Sequence, residues 1–179
     1  VVMIDGRGTP LRNKAFQDYH YGELAYTSDL NDRIAGIRQL AKRYPYMDIT
    51  RVGITTTEMQ TNAIYGLLHH ADFYSVVVDH CFIDPRDGIA SMSEMYDGTL
   101  DKALINNHTY PENCLDRFSG KLFLIQGTVS IFAAGAFRLI EALQKANITF
   151  DMLCLPNMTN QMTSYTTRRE WDYLVTHLQ

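Results

Sequence analysis

An α/β fold with a mainly parallel sheet is predicted by three features of the sequence. Short apolar runs of strand length recur along the chain: "VVMID", "RVGIT", "FYSVVVDHCF", "KLFLIQGT" and "TFDMLCLPN". Most are separated by stretches whose apolar residues fall at helical spacing, and strands alternating with helices argue for parallel pairing. Glycine, proline, asparagine and aspartate punctuate the switches between the two patterns. With 179 residues and no repeat, linker or low-complexity stretch, the whole of 1–179 is expected to form a single domain.

In chain order, "VVMID" reads as a buried strand ending at Asp5, and the glycines and proline of "GRGTP" make the turn after it. An aromatic loop, "FQDYHYGELAY", leads to "SDLNDRIAGIRQLAKRY". Ser28 or Asp29 is the candidate N-cap of this helix, and Leu30, Ile34, Ile37, Leu40 and Ala41 share one face. The strand "RVGIT" then runs through a polar turn into a helix from Asn62 to His70. After the Val-rich strand "FYSVVVDHCF", residues 83–114 are loop-rich, with "DPRDG", "YDGT" and "YPEN" as turn signals and room for short helices. Regularity returns with "KLFLIQGT", the helix "AFRLIEALQKAN", the strand "TFDMLCLPN" and a final amphipathic helix, "SYTTRREWDYLVTHLQ", carrying Trp171, Leu174, Val175 and Leu178.

Composition narrows the function classes. The chain is 46% hydrophobic and 20% charged, with a net charge of -4, so no electrostatic footprint for nucleic acid is present. No apolar run reaches the roughly 18 residues of a membrane span, and "VVMIDGRG" has neither the charged nor the apolar region of a signal peptide. Cys81, Cys114 and Cys154 are too far apart for a C-x-x-C metal site and odd in number, so they read as buried free thiols. No cofactor and no metal is expected. N-x-[ST] sequences occur at Asn107, Asn147 and Asn157, a pattern short enough to arise by chance, and the compartment stays open.

The stretch "RVGITTTEMQTN" raises a chemical question. Strand, sharp turn and helix are the setting of a nucleophile elbow, where small residues flank a serine because strand and helix backbones come close. Here the corresponding stretch is "TTEMQ". Four segments together, "IDGRGT", "DITRVGIT", "LFLIQGT" and "FDMLCLPNMTNQM" followed by "RREWDYLVTHL", resemble the carboxyl-terminal part of the catalytic α/β-hydrolase domain of prolyl oligopeptidase family serine peptidases, in their dipeptidyl-peptidase-like branch. The resemblance covers almost the whole chain. It implies an α/β-hydrolase-like sheet flanked by helices and lacking its first strands, and a family whose substrates are peptides.

The resemblance also implies a triad of serine, aspartate and histidine, and each of the three positions is changed. Glu58 falls where the serine belongs, with Thr56, Gln60 and Thr61 in place of glycines. The acid loop reads "QGTVSIFAAG", about two residues short, and puts Ser130 at or next to the aspartate; the histidine falls on Asn160 in "NMTNQM". A serine hydroxyl needs a neutral imidazole to take its proton, and the imidazole needs the carboxylate. Asn160 cannot take and return a proton. Glu58 could act as a carboxylate nucleophile, but attack on a peptide would give a mixed anhydride with no histidine placed to hydrolyse it. No catalytic residue is therefore expected to function, and the reading is a pseudoenzyme with a structural or interaction role. The alternatives are a hydrolase using Glu58 or a non-standard histidine, and a small-molecule binding module in the vestigial cleft.

Among the histidines, His80 lies at a strand end beside Asp79, where open α/β sheets form sites, yet a packed or hydrogen-bonded role is expected. His69 and His70 end the elbow helix, where a cation suits the dipole. His20, His108 and His177 are not singled out, and Arg168 and Arg169 read as a solvated face. By the resemblance, the propeller that precedes the catalytic domain, the acidic pair that binds the substrate's amino terminus, the first sheet strands and the oxyanion tyrosine all lie outside this sequence. "VVMID" corresponds to the fourth strand, and the third normally separates it from the elbow strand. Either the chain is a fragment, or "VVMID" moves over to pair with "RVGIT". In both cases the Val1–Asp5 edge is expected to pair with a second copy or with the amino-terminal part of a longer chain.

Overall fold

The computed structural model describes residues 1–21, 29–56, 63–84 and 110–179. Its centre is a four-stranded sheet of β1 (Val52–Thr56), β2 (Tyr74–His80), β3 (Lys121–Gly127) and β4 (Asp151–Leu155), in the spatial order β1-β2-β3-β4. Every neighbouring pair is parallel. Parallel neighbours need crossover connections. Three of the helices, α2 (Leu30–Arg43), α3 (Tyr65–His69) and α4 (Ala133–Lys145), pack on one face of the sheet, and α5 (Ser164–His177) covers the other. A short α1 (Lys14–Gln17) lies outside these layers.

The central strands explain their own composition. β2 and β3 carry apolar residues consecutively because both of their faces are covered. Val77, Leu122 and Leu124 join the core with Leu30, Leu67, Leu68, Leu139 and Leu143. Val76, Val78, Phe123 and Ile125 join a second core with Tyr173 and Leu174. The strands expected at 51–55, 73–82, 121–128 and 149–157 all appear, the first shifted by one residue to end at Thr56 and the others shortened by the turn residues that bound them.

Three expectations are corrected. "VVMID" forms no strand: Val1 and Met3 are essentially fully exposed, and none of the five residues joins the sheet. Among the described residues no strand pairs with it; Ile4 is half-buried, its Cδ1 3.0 Å from where a side chain on Gly36 of α2 would begin. Ser28 lies outside the described residues, and Asp29 stands at the N-cap position of α2 as expected, though it makes no capping bond. Its buried carboxylate pairs instead with Arg33, 2.6 Å from Nε. Finally, α5 is rotated from the apolar face expected of it: Thr166, Glu170, Tyr173 and Leu174 are buried, whereas Trp171 and Val175 are 45% and 58% exposed. The rotation satisfies polar groups, since Tyr173 Oη donates to Leu122 O at 3.1 Å or to Asp151 Oδ2 at 3.0 Å, and Glu170 reaches β2. Of the cysteines, Cys81 and Cys114 are buried as expected, but Cys154 on the edge strand is exposed.

Candidate functional site

Sites in open parallel sheets form beyond the carboxyl ends of the strands, and here those ends hold a buried polar layer. β1 finishes at Thr56, which is buried, and Glu58 with the rest of the turn 57–62 lies outside the described residues. On the far side of that turn the first backbone groups of the elbow helix are held by β2. Asp79 Oδ2 accepts the Ile64 N–H at 3.1 Å. Burial pushes the Asp79 carboxyl up to about 6, against the opposing pull of the Ile64 N–H, the His80 ring and the Ala63 N–H. Its second oxygen, Oδ1, is buried with no hydrogen-bond partner among the described residues, as is Gln126 Oε1 at the end of β3.

His80, the next residue, points to the opposite face, as strand alternation requires. Its Nε2 lies 3.1 Å from Glu170 Oε2 of α5, with the side chains 2% and 6% exposed. The expected packed, hydrogen-bonded role is what the structure gives it. His69 and His70 differ from expectation: burial holds both below the ordinary imidazole value, and His69 is lowered further by His70 and Arg117. Neutral rings are favoured there over capping cations, and His69 stacks on Tyr65 with centroids 5.7 Å apart. His177 packs against Tyr173 at 4.3 Å. His108 lies outside the described residues. Arg168 and Arg169 form the solvated face expected of them, with Asp172 between 3.7 and 3.8 Å away.

Ser130 and Asn160, thirty positions apart, are brought into contact. Asn160 Nδ2 donates to Ser130 Oγ at 2.8 Å, and Asn160 Oδ1 accepts the Gly127 N–H at 2.6 Å. Ser130 Oγ also accepts the Phe132 N–H at 3.2 Å, just ahead of α4. Further bonds tie the same two loops: Val129 N–H to Met158 O at 3.2 Å, Thr128 N–H to Leu155 O at 3.1 Å, and Asn157 N–H to Thr128 Oγ1 at 2.9 Å. The loops approach so closely that a side chain at Gly127 would meet the carbonyl oxygens of Met158 and Thr159 at 2.3 and 2.4 Å. Glycine is the residue that fits.

A surface groove of about 420 Å³ lies elsewhere, lined by Phe123, Met152, Leu153, Tyr165, Arg168, Arg169 and Asp172 between β4 and α5. It contains neither Ser130 nor Asn160. Sequence reasoning missed the structural roles of Asp79, Gln126 and Glu170. The signals were present: Asp79 interrupts an apolar strand, and Glu170 stands four residues before the buried Leu174, on the same helix face.

Comparison with known proteins agrees with this architecture. The sequence profile of the prolyl oligopeptidase family matches residues 1–179. Dipeptidyl peptidase family member 1 of Caenorhabditis elegans is 26% identical over 178 residues, spanning 93% of this chain and 21% of that protein. Among solved structures, a dipeptidyl aminopeptidase IV candidate from Bacteroides ovatus superposes with a TM-score of 0.85 at 17% identity, over 97% of this chain and 26% of its own. Dipeptidyl peptidase 4 of Porphyromonas gingivalis gives a TM-score of 0.75 at 20% identity, again over 97% and 26%. An acylaminoacyl peptidase gives 0.77 at 13% identity, over 97% and 31%. These structures share the α/β-hydrolase fold with the chain, which spans about a fifth to a third of the relatives it matches. No helix among the described residues is long and apolar enough to cross a membrane.

Proposed function

The chain belongs to the prolyl oligopeptidase family, and on that footing we propose that it is a catalytically silent member whose hydrolase scaffold serves a structural or interaction role. The observation that carries the reading is the Asn160 bridge. An amide at the position assigned to the base holds Gly127 and Ser130 by its oxygen and nitrogen. Neither end is left to move a proton, and an amide has no titration near neutrality with which to do so. Ser130, assigned to the acid, brings a hydroxyl that cannot hold an imidazolium by charge. His80 is buried against Glu170, on the opposite face of β2 from Asp79, which supports the elbow helix. The polar groups at the strand ends thus hold loops and helix termini in place.

The test is direct. The protein is incubated with proline-containing dipeptide p-nitroanilides and with a fluorophosphonate probe. Neither turnover nor covalent labelling is expected. Labelling at any serine, or release of nitroaniline that follows the purified protein, would overturn the reading in favour of a hydrolase working through Glu58 or a histidine.

A further inference from the structure

We propose that Asn147 and Asn157 are acceptor sites for asparagine-linked glycans, and that the two glycans screen the outer edge of β4. Each asparagine heads an N-x-[ST] sequence without proline, Asn147-Ile148-Thr149 and Asn157-Met158-Thr159. The motif alone is weak, and the fold supplies the rest. Both asparagines are exposed and sit in left-handed turns, with φ of 55° and 56°, and Thr149 and Thr159 are exposed as well. The turns are pinned through the backbone: the Asn147 N–H donates to Gln144 O at 3.0 Å, and the Asn157 N–H to Thr128 Oγ1 at 2.9 Å. Among the described residues, no hydrogen bond engages either side-chain amide. Asn13 and Asn160, whose side chains do make hydrogen bonds, both lack the hydroxyl two residues on. At Asn147 and Asn157 the motif thus falls on an exposed amide that makes no hydrogen bond among the described residues.

A glycan is bulky and keeps to the surface, so it is compatible with the fold only where the asparagine faces solvent and holds nothing together. The reaction requires a lipid-diphosphate-linked oligosaccharide as donor. The amide Nδ2 forms a bond to the anomeric carbon of the terminal N-acetylglucosamine. The bond from that carbon to the diphosphate oxygen breaks, the diphosphate leaves with the electron pair, and the amide proton passes to a base of the transferring enzyme. Nothing is oxidised or reduced.

The placement has a physical purpose. β4 pairs only with β3, so its outer backbone edge is unpaired among the described residues. It carries the exposed Cys154 and half-buried Met152 and Leu153. Exposed edges invite pairing with other chains, and proteins cover or charge them. Asn147 lies just before β4 and Asn157 just after it, so a glycan at each end brackets the edge.

The chain, secreted from eukaryotic cells behind a cleavable leader or translated into microsomes, is digested with peptide-N-glycosidase and analysed by peptide mass spectrometry. Two stepwise losses of mass are expected, with Asn147 and Asn157 converted to aspartate. Thr149→Ala and Thr159→Ala should each remove one step, and Thr149→Ser and Thr159→Ser should retain it. With the Asn107-His108-Thr109 sequence, which lies outside the described residues, silenced throughout by Asn107→Gln, translocated protein with no loss of mass, or a loss that survives combined Asn147→Gln and Asn157→Gln, would overturn the assignment. Native enzymatic release of the glycans should raise the mass seen by light scattering. An unchanged mass would overturn the screening role.

Discussion

Asn160 holds two loops together through a single side chain. Its buried Oδ1 satisfies the Gly127 N–H at the end of β3, and leaving such a donor without a partner costs about 1–3 kcal/mol. Asn160→Ala should therefore destabilise the protein by that order, read as a lower denaturant midpoint with an unchanged slope. Glu58→Ser alone should yield no peptidase activity, because the substitution supplies a nucleophile without a base; measurable turnover of a p-nitroanilide would show that another histidine serves. Asp79 carries a prediction in pH. Burial raises its folded value to about 6, above the ordinary carboxylate value of 3.8, so the folded state holds the proton more tightly. The stability this contributes is complete below about pH 4 and is lost as pH rises through 6. At neutral pH the loss is on the order of 3 kcal/mol. Asp79→Asn, which keeps an oxygen for the Ile64 N–H, should be at least as stable as the parent at pH 7. Thermal melts should show that advantage vanishing below pH 4.

At the scale of elements, α5 is seated by polar groups as much as by apolar ones. The His80–Glu170 contact joins β2 to the helix in a space closed to water. Removing one member of a buried pair is costlier than removing its charge while keeping the hydrogen bond. Glu170→Gln should thus be milder than His80→Ala, which leaves a buried carboxylate unpaired, and comparison of unfolding midpoints decides the order. The rotation of the helix has its own signature. Leu174→Ala should cost about 2–5 kcal/mol, whereas Trp171→Lys and Val175→Lys, at exposed positions, should stay within about 0.5 kcal/mol of the parent. Sequence periodicity placed Trp171 and Val175 inward because it weighs apolar character alone. It could not weigh Glu170, whose partner lies 90 residues away, or Tyr173, whose hydroxyl finds a carbonyl on β3.

At the scale of the whole molecule, β1 and β4 are the outer strands of the sheet among the described residues. The Val1–Asp5 segment, expected to be a sticky edge strand, has the composition of one but is in no strand here, with Val1 and Met3 exposed and Ile4 half-buried. A strand is a property of a pair. Val2→Lys should accordingly leave the association state unchanged, while Thr55→Lys, an exposed position on the outermost strand, should lower the proportion of any larger species. Light scattering on the two variants checks both outcomes.

The order and type of the sheet strands and main helices followed from the sequence alone, because each apolar run could be buried only by one periodicity and each run was bounded by turn residues. The α/β class, the parallel sheet and the family resemblance rest on those local patterns. Tertiary structure decided what depends on partners distant in the chain: that "VVMID" joins no strand among the described residues, that α5 turns Glu170 inward, that Asp79 grips the elbow helix, and that Asn160 meets Ser130. The reason is physical. Apolar burial is nearly non-directional and leaves a periodic trace in the sequence, whereas a hydrogen bond is satisfied only by a specific atom at a specific distance, which the sequence does not encode locally.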